Sequence, residues 1–178
     1  MYQEILRFWF EEVEQSKWWI KDAAFDQLII DKYSEIHHSA ARCELYEWRR
    51  SPEGRLAEII VLDQFSRNMF RDSPLAFAND SLALALSQEA IAVGADESVD
   101  STRRSFFYLP FMHSESSKIH EVALELYTKS GNKVSIEFEL KHKSIIDRFG
   151  RYPHRNIALG RESTEEEVAF LMQPGAGF

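Results

Sequence analysis

The chain has 178 residues, 44% of them apolar and 28% charged, enough to bury one core without staples, and this predicts a single helical domain over 1–178. A net charge of −8 excludes the broad basic footprint of a nucleic-acid binder, and one cysteine, Cys43, excludes an internal disulfide framework and fits a reducing compartment. No apolar run approaches the ~20 residues of a membrane span. The first residues lack the basic and apolar regions of a signal peptide. The expectation is a cytoplasmic protein with no membrane or nucleic-acid partner.

Strand signals are almost absent, and segments of helical spacing recur between short polar breaks. Tyr2 to Val13 predicts a helix with Ile5, Leu6, Trp9 and Phe10 on one face. Asp22 caps the next helix, which turns Phe25, Leu28, Ile29, Tyr33 and Ile36 inward. Ala40 to Arg50 continues it with Leu45 and Trp48, and Cys43 serves there as a small packing residue rather than a nucleophile. Ser51 and Pro52 supply an N-cap and a first-turn proline for the most apolar helix, which runs to about Phe65–Asn68 and is the predicted central one.

Asp80 or Ser81 caps a further helix that Gly94 ends. A short helix from Ser101 to Leu109 is cut off by Pro110. Another runs from about Ser114 to Lys129, with Gly131 as its left-handed stop. Val134, Ile136, Phe138 and Leu140 alternate as in a strand, but Leu140, Ile145, Ile146 and Phe149 fit a helix closed by Gly150. Ser163 with Glu166, or Thr164 with Glu167, forms a capping box for the last helix, and Gln173–Phe178 is a frayed tail. The sum is an all-α domain of about eight or nine helices in antiparallel hairpins, with no clean repeat period.

Three blocks carry chemistry. From Arg148 to Arg161 stand four arginines and one histidine with no acid among them, so the rest of the chain sums to −12. Gly150 and Pro153 make Arg151–Asn156 a sharply turned loop. Its arginine forks and backbone N–H groups suit a carboxylate or phosphate, or they pair with internal acids such as Asp63 or Glu115 and bolt the loop down. In the second block, Asp63 and Arg67 lie four apart on one helix face at the rim of the core. The third, Phe106 to Glu115, sets His113 and Glu115 beside an aromatic wall, as an acid/base pair or as the start of a helix. His142 lies on an inward side of its helix. No zinc-binding spacing, Walker loop or dinucleotide fingerprint is present, so no cofactor is expected.

Asp63-Gln-Phe-Ser-Arg-Asn68, Tyr108-Leu-Pro-Phe-Met-His-Ser-Glu115 and Arg148-Phe-Gly-Arg-Tyr-Pro-His-Arg-Asn156 together closely resemble a mainly bacterial family, domain-of-unknown-function family 924. Trp18-Trp-Ile-Lys-Asp22 with Phe25-Asp26, and Leu159-Gly-Arg-Glu-Ser-Thr164, fit the same pattern. Ser66 and Glu165 depart from it, each standing where that pattern has proline. The resemblance implies an all-helical, tetratricopeptide-like right-handed superhelix and supplies no reaction.

The leading expectation is a pocket for a small anionic molecule or a peptide carboxylate. Its ligand-binding residues are Asp63, Arg67, Arg148, Arg151, His154, Arg155 and Arg161. His113, Glu115 and His154 are the catalytic candidates if acid/base, hydrolytic chemistry follows. One alternative is a helical module that binds a protein partner, with the polar cluster as internal cement. Another is a metalloprotein using His113, His142 and His154.

Overall fold

A computed structural model describes residues 1–175; residues 176–178, part of the predicted frayed tail, lie outside the described residues. Among the described residues there is no strand, and no helix is long and apolar enough to cross a membrane. The chain groups into two compact units, Met1–Arg71 with Leu75–Pro110, and Asp72–Pro74 with Phe111–Phe178.

In the first unit, α1 (Tyr2–Arg7) runs into a wide π turn, Phe8–Glu12, closed by the Val13 N–H on the Phe8 carbonyl at 3.0 Å. A π turn holds more residues than an α turn, so the apolar face rotates. Ile5, Leu6, Phe8 and Trp9 are buried, whereas Phe10, predicted inward, is half-buried. α2 (Ala23–Ala41) starts at Asp22, whose carboxylate accepts from the N–H groups of Ala24 and Phe25 at 2.9 and 3.1 Å. Phe25, Ile29 and Tyr33 are buried as their spacing predicts, but Leu28 is exposed. Asp26 is buried instead, because Arg71 forks its carboxylate at 2.6 and 2.7 Å and Asn68 donates to it at 2.8 Å.

α2 does not continue to Arg50. The Cys43 N–H bonds the Ala40 carbonyl and the Glu44 N–H bonds the Ser39 carbonyl, both at 2.9 Å, which is a Schellman closure. Cys43 occupies its left-handed position at φ 59° and is exposed, so it is a turn residue and not the predicted packing residue.

The predicted central helix is present, with one change. α3 (Pro52–Ile60), a π turn over Val61–Phe65 and α4 (Ser66–Met69) form one unbroken helical run, since both junctions keep right-handed helical dihedrals. Ser51 caps it, accepting from the Gly54 N–H at 3.0 Å. Gly54 is needed for a close approach, because a Cβ there would lie 2.0 Å from the Trp48 carbonyl oxygen. Leu56, Ala57, Ile59, Ile60, Val61, Leu62 and Phe65 are all at most 1% exposed. α1 packs on α3, α2 on the π turn and α4, and α5 (Asp80–Ala92) on α3.

α5 begins at Asp80 after Asn79. Neither Asp80 nor Ser81 caps it, because the Asp80 carboxylate is engaged by Arg67. Pro110 does not cut its helix at Leu109: α6 runs Ser101–Met112. A proline this late removes one N–H from the last turn and leaves the rest of the ladder intact.

The second unit is built on a hairpin. α7 (Ser117–Ser130) stops at left-handed Gly131, φ 73°, and α8 (Lys133–Phe149) starts two residues later from Asn132, whose side chain accepts from the Ser135 N–H. All of Lys133–Phe149 is helical, so the strand-like alternation is not a strand: Val134, Phe138 and Leu140 are exposed, and His142, Ile145 and Ile146 face inward. Gly150 closes α8 at φ 67°. A 3-10 turn at Pro153–Arg155 follows, then α9 (Glu165–Leu171), opened by the Thr164/Glu167 capping box.

An L-residue in the left-handed region carries a steric cost of about 1 kcal/mol that glycine lacks. Cys43→Gly is therefore expected to raise the unfolding free energy by roughly that amount, read from urea midpoints at unchanged m-value.

Candidate functional site

The segment after α8 cannot be helical. Gly150 turns it left-handed, and Pro153 forces Tyr152 to an extended conformation, φ −89°, ψ 107°. This places the Tyr152 ring in the interior, 0% exposed, against Ile145 and Ile146. Its N–H donates to Glu115 Oε1 at 2.7 Å, its carbonyl accepts from Arg161 at 3.1 Å, and its hydroxyl donates to the Met112 carbonyl. Around the ring stand the imidazoles of His154, His142 and His120, with centroids at 5.4, 5.8 and 6.2 Å. The Arg155 guanidinium lies over the same ring at 4.7 Å and donates to the His113 carbonyl at 2.9 Å.

Two of these histidines have definable proton positions. His142 Nδ1 sits 2.8 Å from the Phe138 carbonyl, which only accepts, so Nδ1 carries the hydrogen and Nε2 the lone pair. Burial pushes its pKa down to about 3, the Phe138 bond opposes that, and the nearby His113, His120 and His154 push it down further. His142 is therefore neutral at pH 7; it and His154 meet at the Tyr152 ring, while His113 is tied to Arg155 through its carbonyl. His120, 0% exposed, contacts the Ser114 carbonyl through Nε2 at 2.8 Å, so Nε2 carries a hydrogen. Its Nδ1 faces Glu139 Oε1 at 2.7 Å. Glu139 is also 0% exposed, its Oε2 has no hydrogen-bond partner, and burial raises its pKa against the opposing pull of His120. A carboxylate with an orphaned buried oxygen is costly, so the pair favours a protonated Glu139 donating to His120 Nδ1.

Three of the four arginines of the basic stretch, Arg148, Arg151 and Arg161, are engaged by acids of the same unit. Arg148 bonds Glu166 at 2.7 and 2.9 Å, and Arg151 forks Glu167 at 2.6 and 2.8 Å and reaches the Glu162 carbonyl. Arg161 forks Glu115 at 2.7 and 2.9 Å and bonds Asn156. The Arg151 fork, with the Thr164 N–H and Asn156, holds Glu167 down at about 2 although burial opposes it. Burial likewise pushes Glu115 up, but Arg161 and the Tyr152 N–H outweigh it and hold the carboxyl below its ordinary value. In the first unit, the π turn presents Asp63, 1% exposed, to Arg67 at 3.1 Å and to the Gln64 amide at 2.6 Å. Arg67 also forks Asp80 at 2.9 and 3.0 Å.

His120, Glu139 and Tyr152 were not among the residues picked from the sequence. Glu139 and His142 stand three apart on α8 and share a face, which is a readable signal. His120 has no local partner in the sequence that marks it, and Tyr152 reads as a pre-proline loop residue. The metal alternative gains no ligand set: among the described residues no group of three or more His, Cys, Asp or Glu side chains is arranged to hold a metal ion.

Because the unfolded His142 takes its proton near 6.5 and the folded one near 3, its contribution to stability is complete above pH 6.5 and falls away as pH drops toward 3. His142→Asn keeps a donor for the Phe138 carbonyl. It is expected to remove on the order of 2 kcal/mol of the stability lost between about pH 7.5 and pH 5, measured by urea unfolding. At the dyad, Glu139→Gln preserves a donor to His120 Nδ1 and is expected to cost under ~1 kcal/mol, whereas Glu139→Leu orphans that nitrogen and costs about 2–3 kcal/mol. An ion pair would instead make the glutamine variant lose about 3–5 kcal/mol.

Comparison with known proteins bears on the same segments. No curated protein matches the sequence. A solved structure, that of the protein of unknown function ATU0120 from Agrobacterium tumefaciens, matches with a TM-score of 0.92 and 39% identity, covering 97% of each chain. Residues 5–175 match the family described as bacterial protein of unknown function, DUF924, and the chain belongs to that family.

Proposed function

We propose that the cluster around Tyr152 binds a small anionic ligand or a peptide carboxylate in a cytoplasmic protein. The observation that carries this is a local shortage of negative charge. His120, His142, His154 and Arg155 surround one phenol, Arg155 also bonds the His113 carbonyl, and burial, with a smaller push from His113, His120 and His154, holds the His142 pKa down. Of the acids at hand, Glu115 is forked by Arg161, and Glu139 favours its neutral form. A bound anion would let these imidazoles charge, so binding takes up protons. His113 and His154 are half-buried and are the two through which a ligand reaches the cluster.

On this reading Arg155, His154 and His113 donate to the anion. Arg148, Arg151 and Arg161 hold the loop through Glu166, Glu167 and Glu115. Acid/base catalysis, hydrolytic in kind, falls to His113 or His154, with Glu115 as the fixed carboxylate beside them. The internal pairing of those three arginines also favours a second reading, a helical interaction module in which the cluster is cement and the partner is a protein.

A thermal-shift titration with inorganic phosphate, acetate and short peptides with free carboxyl termini separates the two. The proposal expects a saturable rise in Tm with one of these anions, larger near pH 6 than near pH 8, and about tenfold weaker binding in His154→Ala. No shift with any of them at either pH returns the cluster to a structural role.

A further inference from the structure

The first unit carries a cleft of about 430 Å³ between α2 and the end of α4 that has no part in the Tyr152 cluster. Ile30, Met69 and Phe70 supply its apolar lining, and Ser34, Glu35, His37 and His38 its polar groups; the Ser34 hydroxyl donates to the Ile30 carbonyl and His38 Nε2 accepts from Arg42 at 3.3 Å. His37 is 6% exposed and its ring meets Phe70 edge-on at 5.2 Å. The hydrogen bonds around it fix its tautomer. Ser66 Oγ gives its own hydrogen to the Leu62 carbonyl at 2.6 Å, so at the 2.8 Å contact with His37 Nε2 it accepts, and Nε2 is the protonated nitrogen. Nδ1 then bears the lone pair. It makes no hydrogen bond among the described residues, and it is not among the buried polar atoms sealed from solvent without a partner. With Nε2 committed to Ser66, Nδ1 is the nitrogen His37 offers to the cleft.

Glu35, exposed at the rim, makes no ion pair or hydrogen bond among the described residues. Lys32, three residues earlier on α2, lies over the Phe8 and Tyr33 rings at 5.0 and 5.7 Å, and Arg42, just past the helix end, is paired with Glu44 at 2.7 Å. The cleft therefore combines a buried acceptor that cannot donate, a carboxylate that makes no ion pair among the described residues, and an aromatic and aliphatic wall. From this juxtaposition we infer that the cleft binds an organic ammonium with an apolar body. An N–H of the ammonium donates to His37 Nδ1, Glu35 supplies the opposite charge, and the body lies on Phe70, Met69 and Ile30. A phosphate or carboxylate finds no donor at Nδ1 and is repelled by Glu35. The volume suits a molecule of about ten heavy atoms or more. The Ser66 hydroxyl is the positioning group, since it sets which nitrogen faces outward.

Phenethylamine tests this, with 3-phenylpropanol and 3-phenylpropionate as the neutral and anionic probes of similar shape. Calorimetric titration of the full chain is expected to show saturable binding of the amine, weaker binding of the alcohol and none of the acid. His37→Gln keeps an amide N–H for Ser66 but removes the outward acceptor, and is expected to weaken amine binding about tenfold. Glu35→Gln, at an exposed position, leaves folding unchanged and is expected to narrow the gap between amine and alcohol. In wild type the His37 Nδ1 nitrogen resonance shifts as the amine saturates. Absence of saturable amine binding, equal binding of the acid, or an affinity unmoved by both substitutions overturns the assignment.

Discussion

Glu115 and Arg161 close on the two peptide groups of Tyr152: the carboxylate takes its N–H, the guanidinium takes its carbonyl, and the two side chains fork each other. An exposed ion pair is worth little. This one is half-buried and tied to a backbone that Pro153 has already removed from the helical region, so it fixes a conformation that helix packing alone would leave open. Everything at the cluster follows from that clamp. With the backbone held, one aromatic ring can stand in the interior among imidazoles from α7, from α8 and from its own turn. Arg155 then has a face to lie on.

The helices were legible because their ends are written in local chemistry. Asp22, Ser51 and the Thr164/Glu167 box each satisfy N–H groups within three residues of themselves, and Gly131 and Gly150 adopt the left-handed dihedrals their positions require. Such signals need no tertiary knowledge. The two π turns left none, since one extra residue per turn arises from packing and not from composition, and the first turned Phe10 partly away from the predicted inward face. Pro110 misled for the opposite reason: its local cost is real, but in a last turn it is small enough for packing to override.

At the candidate site the limits were different. The basic stretch marked the correct loop, but charge counting does not say which acid meets which arginine. Arg148, Arg151 and Arg161 find theirs 18 and 16 residues ahead and 46 residues behind. Glu139 and His120, 19 apart on facing helices, meet only because a two-residue link at Gly131 and Asn132 folds α8 back on α7. Helical spacing puts Glu139 beside His142 on one face; what lies opposite that face is a tertiary fact.

A chain of net charge −8 can hold buried carboxylates only if each is met or neutralised. Asp26, Glu58, Asp63 and Glu167 are met by Arg71, Arg49, Arg67 and Arg151, while Glu139, whose pKa burial raises, faces His120 Nδ1 at 2.7 Å. That use of arginine changes what its abundance means. Guanidiniums committed to internal carboxylates cannot also be the main receptor for an external one, because releasing them would strand the acid they hold. Histidine is under no such constraint. Its charge is optional, and at His142, beside the Tyr152 ring, burial above all and then the neighbouring histidines keep that charge low. The arginines that first draw the eye in the sequence serve to hold the turn that carries Tyr152 and His154 in place.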